Sequence, residues 1–141
     1  MRIYQAGPLF SQAEQEWHRR FKARLTAEGF DAVWPFELPL PDDMSGGNAA
    51  RMLMETDRAA LDSCDAVAAL LDGPQVDDGT AWEIGYAFCR GLPVVGIRTD
   101  FRKCGDAAGA PVNAMIAGSC RTVVTCVEDA VAALREIREG K

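Results

Sequence analysis

Three carboxylates in one acidic stretch of the chain are the residues best suited to chemistry. Asp57, Asp77 and Glu83 fall within the span from Glu55 to Glu83, which holds eight acidic side chains and one basic one, Arg58. An ionised, positioned carboxylate can attack an electrophilic carbon such as the anomeric carbon of a sugar. The charge bias therefore indicates either carboxylates gathered at the mouth of a site or a solvated acidic face.

Glu83 admits two interpretations from its local sequence. Thr80 precedes it by three residues, a spacing that fits a capping box, so Glu83 could simply cap its own helix. The alternative is that a glutamate in the first turn of this helix points across the end of a sheet. The positive end of the helix dipole would then keep the carboxylate ionised. On local sequence alone the cap is the simpler interpretation.

The elements that must position these residues alternate between strand and helix. Strands are predicted over the ranges 3–6, 30–34, 65–71, 92–97 and 121–125, and helices over 11–29, 48–63, 80–90, 112–117 and 127–139. The continuous apolar run from Asp65 to Leu71 is typical of a central parallel strand, and Arg121–Thr125 is predicted to be an edge strand. This alternation predicts one α/β domain over residues 1–141. Its fold class is a doubly wound (flavodoxin-like or Rossmann-like) five-stranded parallel sheet with helices on both faces.

Ligands of such sheets bind beyond the carboxyl ends of the strands, where the strand order reverses. Gly7, the loop after Asp72 and the segment after Ile97 each follow a predicted strand end. We therefore expect the site among these segments. The stretch from Pro35 to Gly47 is rich in proline and is predicted to be an irregular loop.

The composition excludes several function classes. Among 141 residues with a net charge of −6 there is one histidine, His18, which leaves little material for a zinc site or a Ser-His-Asp triad. The acidic balance argues against a polymeric nucleic acid as partner. No apolar run approaches the roughly 20 residues that span a bilayer. Five scattered cysteines are expected to be reduced thiols in the cytoplasm.

Three segments carry a resemblance to a known family. They are Asp77–Ala87 with the pattern D-x-G-T-A-W-E-I-G-Y-A, Tyr4–Phe10 near the start, and Pro111–Ile116 near the end. Together they resemble the nucleoside 2-deoxyribosyltransferases, and the likeness runs from Ile3 to about Val124. The first segment is the most specific of the three.

The resemblance implies a role for each candidate residue in the catalytic part of the site. Glu83 matches the nucleophile of the family, and Tyr4 matches a tyrosine that orients it. Asp57 is similar to the acid that faces the nucleobase. Asp77 is similar to the aspartate that holds the sugar hydroxyls, and Phe10 matches a ring that packs near the base.

The resemblance also implies an assembly and a set of ligands. Asn113, together with Met115, matches residues that complete the site of a neighbouring subunit, so a homodimer or higher homo-oligomer is expected. Gly7 is expected to lie against the substrate. The expected partners are deoxynucleosides and free nucleobases, with no membrane, no metal and no cofactor.

Structural alternatives accompany several of these assignments. Asp57 lies in the middle of a predicted helix and could face solvent, while Asn113 could be an ordinary helix cap. Phe10, which precedes a cap, could serve as a hydrophobic staple. Trp82 and Tyr86 stand at helical spacing and are expected in the core rather than against a ligand. Asp65, which opens a buried strand, is expected to cap or pair structurally.

The predicted function is transfer of a deoxyribosyl group between nucleobases through a covalent ester on Glu83. One alternative is a 2′-deoxynucleoside 5′-phosphate N-hydrolase, a related group that tends to have serines where this chain has Asp77 and Asn113. Asp77 would repel a phosphate dianion by about 1 to 4 kcal/mol, which favours an unphosphorylated sugar. The other alternative is a catalytically silent nucleotide-binding or sensor domain.

Overall fold

Five parallel strands form one sheet in the computed structural model, which describes residues 1–39 and 47–140. In chain order the strands are β1 (Arg2–Ala6), β2 (Asp31–Val33), β3 (Ala66–Leu70), β4 (Val94–Ile97) and β5 (Thr122–Val124). They lie side by side in the order β2-β1-β3-β4-β5. The predicted α/β fold with a five-stranded parallel sheet is confirmed, with β3 central and β5 at an edge.

Five helices connect the strands and close the chain. They are α1 (Gln12–Ala27), α2 (Ala49–Asp62), α3 (Asp78–Cys89), α4 (Ala114–Ser119) and α5 (Val127–Arg138). The predicted capping box at the start of α1 is present, since Ser11 and Glu14 satisfy each other's backbone N–H groups. Helix α3 begins two residues before its predicted start, because Asp77 rather than Thr80 is its cap.

The sheet separates two apolar layers, because successive side chains of a strand point to opposite faces. On one face α1 and α5 bury Phe21, Leu25 and Leu134 against Ile3 and its neighbours. On the other face Leu61 and Ile84 of α2 and α3 pack against Tyr4 and Val67. Helices therefore cover both faces, as predicted.

The strand order reverses between β1 and β3. These strands are paired in parallel from Ile3 opposite Ala66 to Ala6 opposite Ala69, yet the chain leaves β1 toward β2 on one side and β3 toward β4 on the other. Gly7, which follows β1, has a φ of 150°. A Cβ there would lie 2.7 Å from the His18 ring, so the turn requires glycine. The two diverging connections leave a crevice at this switch point.

The segment predicted to be irregular begins with a short 3₁₀ turn, Pro35–Glu37. The part of that prediction on residues 40–46 lies outside the described residues. All five cysteines are unpaired, as expected for reduced thiols. None of the helices in the described part of the chain has the length and apolarity needed to cross a bilayer.

Candidate active site

A cavity of about 470 Å³ lies at the switch point, beyond the carboxyl ends of β1 and β3. Its charged lining residues are all acidic and come from two helices and a loop. One wall is apolar. The lining residues are Gly7, Leu9, Phe10, Pro35, Phe36, Leu38, Pro39, Leu53, Thr56, Asp57, Asp77, Gly79, Thr80 and Glu83. The cavity thus brings Asp57 of α2 together with Asp77 and Glu83 at the start of α3.

Glu83 is held by a tyrosine from the neighbouring strand. The Tyr4 hydroxyl, fully buried at the centre of β1, donates a hydrogen bond of 2.6 Å to Oε1 of Glu83. Burial and the nearby Glu83 charge raise the pKa of the Tyr4 phenol far above its ordinary value of 10, so the hydroxyl stays a donor. Such a bond fixes one carboxylate oxygen and leaves the other for chemistry.

The predicted capping role of Glu83 is wrong. Asp77 caps α3 by accepting hydrogen bonds at Oδ2 from the Thr80 backbone N (2.9 Å) and hydroxyl (3.0 Å). Glu83 is the sixth residue of α3, in its second turn rather than its first, and its carboxylate reaches Tyr4 instead of its own backbone. The local hydrogen bonds of the helix therefore do not explain why a glutamate stands here.

Burial changes the protonation of Glu83. Desolvation, together with the neighbouring charges of Asp57 and Asp77, raises its pKa to about 7 against the lowering effect of the Tyr4 bond. Glu83 is therefore only partly ionised at neutral pH, contrary to the expectation that the helix dipole keeps this carboxylate ionised. The dipole weakens beyond the first turn of a helix, and Glu83 lies past it.

Asp57 faces the cavity from α2 rather than bulk solvent. Burial raises the pKa of its carboxyl, which favours the protonated form. Asp77 lines the same cavity at the start of α3, and its Oδ1 takes part in neither capping bond. Oδ1 is thus the atom of Asp77 that could accept a hydrogen bond from a ligand.

Two aromatic residues near the site, Phe10 and Trp82, have exposed rings. Phe10 does not serve as a staple, because its ring is 77% exposed and lines the cavity. Trp82 is 47% exposed and stacks on Tyr86, with ring centroids 5.3 Å apart, so its assignment to the core is wrong. Asp65 has the structural role expected, since it accepts a hydrogen bond of 2.7 Å from the Arg2 backbone.

Two predicted binding residues do not line this cavity within one chain. Asn113 caps α4, accepts from the Met115 backbone N (2.9 Å) and donates to Asp106 (3.1 Å). Met115 is 77% exposed. The capping interpretation of Asn113 is therefore correct, and both side chains stand at the surface.

No group of three or more histidine, cysteine, aspartate or glutamate side chains within residues 1–39 and 47–140 is arranged to hold a metal ion. What the cavity offers is a positioned glutamate, two further carboxyls and apolar walls. This arrangement suits nucleophilic substitution with proton transfer between carboxyl groups.

The family model for nucleoside 2-deoxyribosyltransferase matches residues 3–115. The chain belongs to this family. The matched range includes every candidate site residue, from Tyr4 to Met115, and confirms the resemblance found in the sequence.

Comparisons with individual proteins also show similarity in sequence or in structure. A conserved protein from Enterococcus faecalis V583 has a similar structure, with a TM-score of 0.82 and 30% identity over 96% of this chain and 98% of that one. A 2-deoxyribosyltransferase from Bacillus psychrosaccharolyticus shares the fold, with a TM-score of 0.77 and 22% identity over 93% and 90% of the two chains. An uncharacterised protein from Schizosaccharomyces pombe is 32% identical over 71% of this chain. This chain spans about half, 51%, of that relative's length.

Some residues that line the cavity were not identified from the sequence. Leu53 lies one turn of α2 before Asp57, and that helical spacing could have revealed it, whereas Thr56 directly precedes Asp57 and has no such signal. Phe36, Leu38 and Pro39 follow β2 in an irregular connection, where no periodicity indicates which side chain faces the cavity.

Proposed function

We propose that this protein cleaves the N-glycosidic bond of 2′-deoxynucleosides and transfers the deoxyribosyl group to another nucleobase through a covalent intermediate on Glu83. The observation that carries the proposal is the bond of 2.6 Å from the Tyr4 hydroxyl to Glu83, inside a cavity shared with two other carboxyls. Family membership supports the same reaction class.

The steps follow from the residues in the cavity. The free oxygen of ionised Glu83 attacks the anomeric carbon while the bond to the base nitrogen breaks. Asp57 gives its proton to the departing base, which makes it a better leaving group. The product of this step is a deoxyribosyl ester of Glu83. A second base then attacks the same carbon from the vacated side, gives its N–H proton to the carboxylate of Asp57 and releases the Glu83 carboxylate, so two displacements retain the configuration.

The position of one proton decides whether the site is reactive. Glu83 is only partly ionised at neutral pH, since the pKa of this residue is about 7. Burial also raises the pKa of Asp57, so the two carboxyls compete for a proton. The reactive form has the proton on Asp57 and the charge on Glu83. We therefore treat the pair as one coupled group that must hold a single proton.

The electrostatics of the cavity favour a sugar without a phosphate. Within the described residues, no basic side chain lines it. The segment from Arg98 to Lys103, which follows β4, contains three basic residues, the type of side chain that binds a phosphate. Arg98 instead is buried and donates to the Gly73 carbonyl (3.0 Å), and Arg102 pairs with Asp100. Asp77 can accept a hydrogen bond from a free sugar hydroxyl, whereas it would repel a phosphate.

The assembly, the location and the acceptor are further parts of the proposal. We propose a homo-oligomer in which the exposed Asn113 and Met115 complete the site of a neighbouring subunit, and a cytoplasmic enzyme that needs no cofactor. Water in place of the second base would turn the same site into a hydrolase. A hydrolase of 2′-deoxynucleoside 5′-phosphates is the second candidate, and it would require a phosphate-binding group that the described lining lacks.

A single incubation tests the proposal. The protein is mixed with deoxyinosine and free adenine, and the products are separated by chromatography. New deoxyadenosine supports transfer, while hypoxanthine without deoxyadenosine indicates hydrolysis. If neither appears, and Glu83→Gln behaves identically to the wild type, the proposed chemistry is wrong.

A further inference from the structure

His18 is a buried titratable residue that the proposed mechanism does not use. It lies on α1 with no exposed surface, on the side of the sheet opposite Tyr4 and Glu83. Its ring nevertheless reaches two segments that line the cavity. One is the turn that begins at Gly7, and the other is the segment that follows β2.

The first connection is a hydrogen bond to the Gly7–Phe10 turn. Nε2 of His18 lies 3.1 Å from the Pro8 carbonyl oxygen, and a carbonyl can only accept, so Nε2 carries the proton. The ring also presses on Gly7, where a Cβ would lie 2.7 Å from Cε1 and Nε2. His18 thereby sets the position of the turn whose next residues, Leu9 and Phe10, line the cavity.

Gln5 fixes the orientation of the His18 ring. Its Nε2 donates to Nδ1 of His18 (2.7 Å) and to the His18 carbonyl oxygen (2.9 Å). The reverse orientation of the amide would place its oxygen against two acceptors. Burial lowers the pKa of His18 to about 4, which is consistent with a neutral ring whose Nδ1 is an acceptor at neutral pH.

The second connection is an aromatic stack. The His18 ring lies over Trp34 with a centroid distance of 5.5 Å and an angle of 19° between planes. Trp34, itself buried, stacks on Phe36 at 4.7 Å. Phe36 lines the cavity beside Pro35 and Leu38. One buried imidazole is thus attached to both apolar walls, Leu9–Phe10 and Pro35–Leu38.

We propose that His18 is a positioning residue that sets the spacing between the two apolar walls between which the nucleobase binds. This proposal rests on the proposed function, because it assumes that the ligand between the walls is a nucleobase. Because Tyr4 and Glu83 lie on the other face of the sheet, a change at His18 alters base affinity and leaves the chemical step nearly unaffected.

Two substitutions separate the connections of His18. The amide of His18→Asn reaches the position of Nδ1, so it keeps the contact with Gln5 and loses both wall contacts. The longer His18→Gln reaches the position of Nε2 and restores the donor to Pro8. Leu25→Val is the matched control, because Leu25 is buried on the same helix in the core layer of Ile3 and Phe21 and does not line the cavity.

The readouts are the KM and kcat for deoxynucleosides and, by calorimetry, the Kd of a panel of free nucleobases. In His18→Asn we expect KM and Kd to rise about three- to tenfold, because the hydrogen bond to Pro8 and the stack on Trp34 are both lost, with kcat within about twofold. His18→Gln restores only the hydrogen bond and should recover part of the loss. Leu25→Val should lower the melting temperature and leave both KM and Kd unchanged.

Other outcomes overturn the proposal. It fails if His18→Asn binds bases as the wild type does, if Leu25→Val weakens binding equally, or if kcat falls while Kd is unchanged. Base binding needs no turnover, so a wild type that binds bases without cleaving nucleosides refutes the proposed function and still tests His18. A wild type that binds no base refutes both.

Discussion

Replacement of the proposed nucleophile should stabilise the protein, by an amount that grows as the pH rises from about 4.5 to about 7. Glu83 has a pKa of about 7 in the folded chain against an ordinary 4.5, because it is buried beside Asp57 and Asp77. Between these two values the unfolded chain releases the proton while the folded chain retains it. The contribution of protonated Glu83 to the free energy of unfolding is therefore fully present below about pH 4.5 and is lost as the pH rises to about 7. Ionised Glu83 costs the folded state about 3 kcal/mol above pH 7.

Glu83→Gln removes this ionisation and keeps an oxygen that can accept from the Tyr4 hydroxyl. We expect the free energy of unfolding of the variant, relative to wild type, to rise by about 2 kcal/mol from pH 5.5 to pH 8.5. Both pH values lie above the isoelectric point near 4.7, where precipitation would interfere. For a chain of this size 2 kcal/mol corresponds to roughly 6 to 8 °C in melting temperature.

The assay is urea unfolding of both proteins across this pH range, with Glu136→Gln on α5 as an exposed control for the loss of one charge. A constant difference between wild type and Glu83→Gln at all pH values would refute the reasoning, because it would show that Glu83 ionises in the folded chain as it does in the unfolded one. If Glu136→Gln shows the same pH-dependent gain in the free energy of unfolding, the gain comes from the change in net charge and not from the burial of Glu83.

Three predictions concern activity. The kcat/KM for a deoxynucleoside should depend on pH as a bell-shaped curve, which falls on its alkaline side near pH 7, where the Asp57–Glu83 pair loses its last proton. Asp57→Asn should remove this alkaline fall. An unchanged fall in the variant would contradict the role of Asp57. Deoxyadenosine should be processed at least about tenfold faster than its 5′-monophosphate if 1.4 kcal/mol of repulsion survives screening, and Asp77→Ser should narrow the ratio. A preference for the monophosphate would favour the hydrolase. Mixed Glu83→Ala and Asn113→Ala subunits should regain activity that each lacks alone, whereas mixed Glu83→Ala and Asp77→Ala subunits should not; a fully active monomer would contradict shared sites.

The sequence predicts the sheet well because strands buried on both faces are continuous apolar runs, as in Asp65–Leu71. The switch point and the location of the cavity follow from that topology. The start of α3 is harder to predict, since Asp77 and Thr80 are both good caps and only the folded chain shows that Asp77 takes the role. That difference of a turn decides whether Glu83 caps the helix or faces the cavity.

Other features depend on packing that a sequence pattern does not contain. Trp82 shares α3 with Ile84 and Ala87, but only the latter two face the sheet. Phe36 reaches the cavity from a segment without periodicity. The raised pKa of Glu83 arises mainly from burial, with contributions from Asp57 on another helix and from Asp77, and burial is not visible in the local sequence, which predicted the opposite shift.

The central claim is the covalent bond to Glu83, and mass spectrometry tests it most directly. The protein is incubated with a 2′-fluoro-substituted deoxynucleoside, which slows release of the sugar, and is then digested with trypsin. The account predicts a fluorodeoxyribosyl adduct on Glu83, in the peptide that ends at Arg90, and no adduct in Glu83→Gln. Turnover of deoxynucleosides without any adduct on Glu83, or with the adduct on another residue, would contradict it.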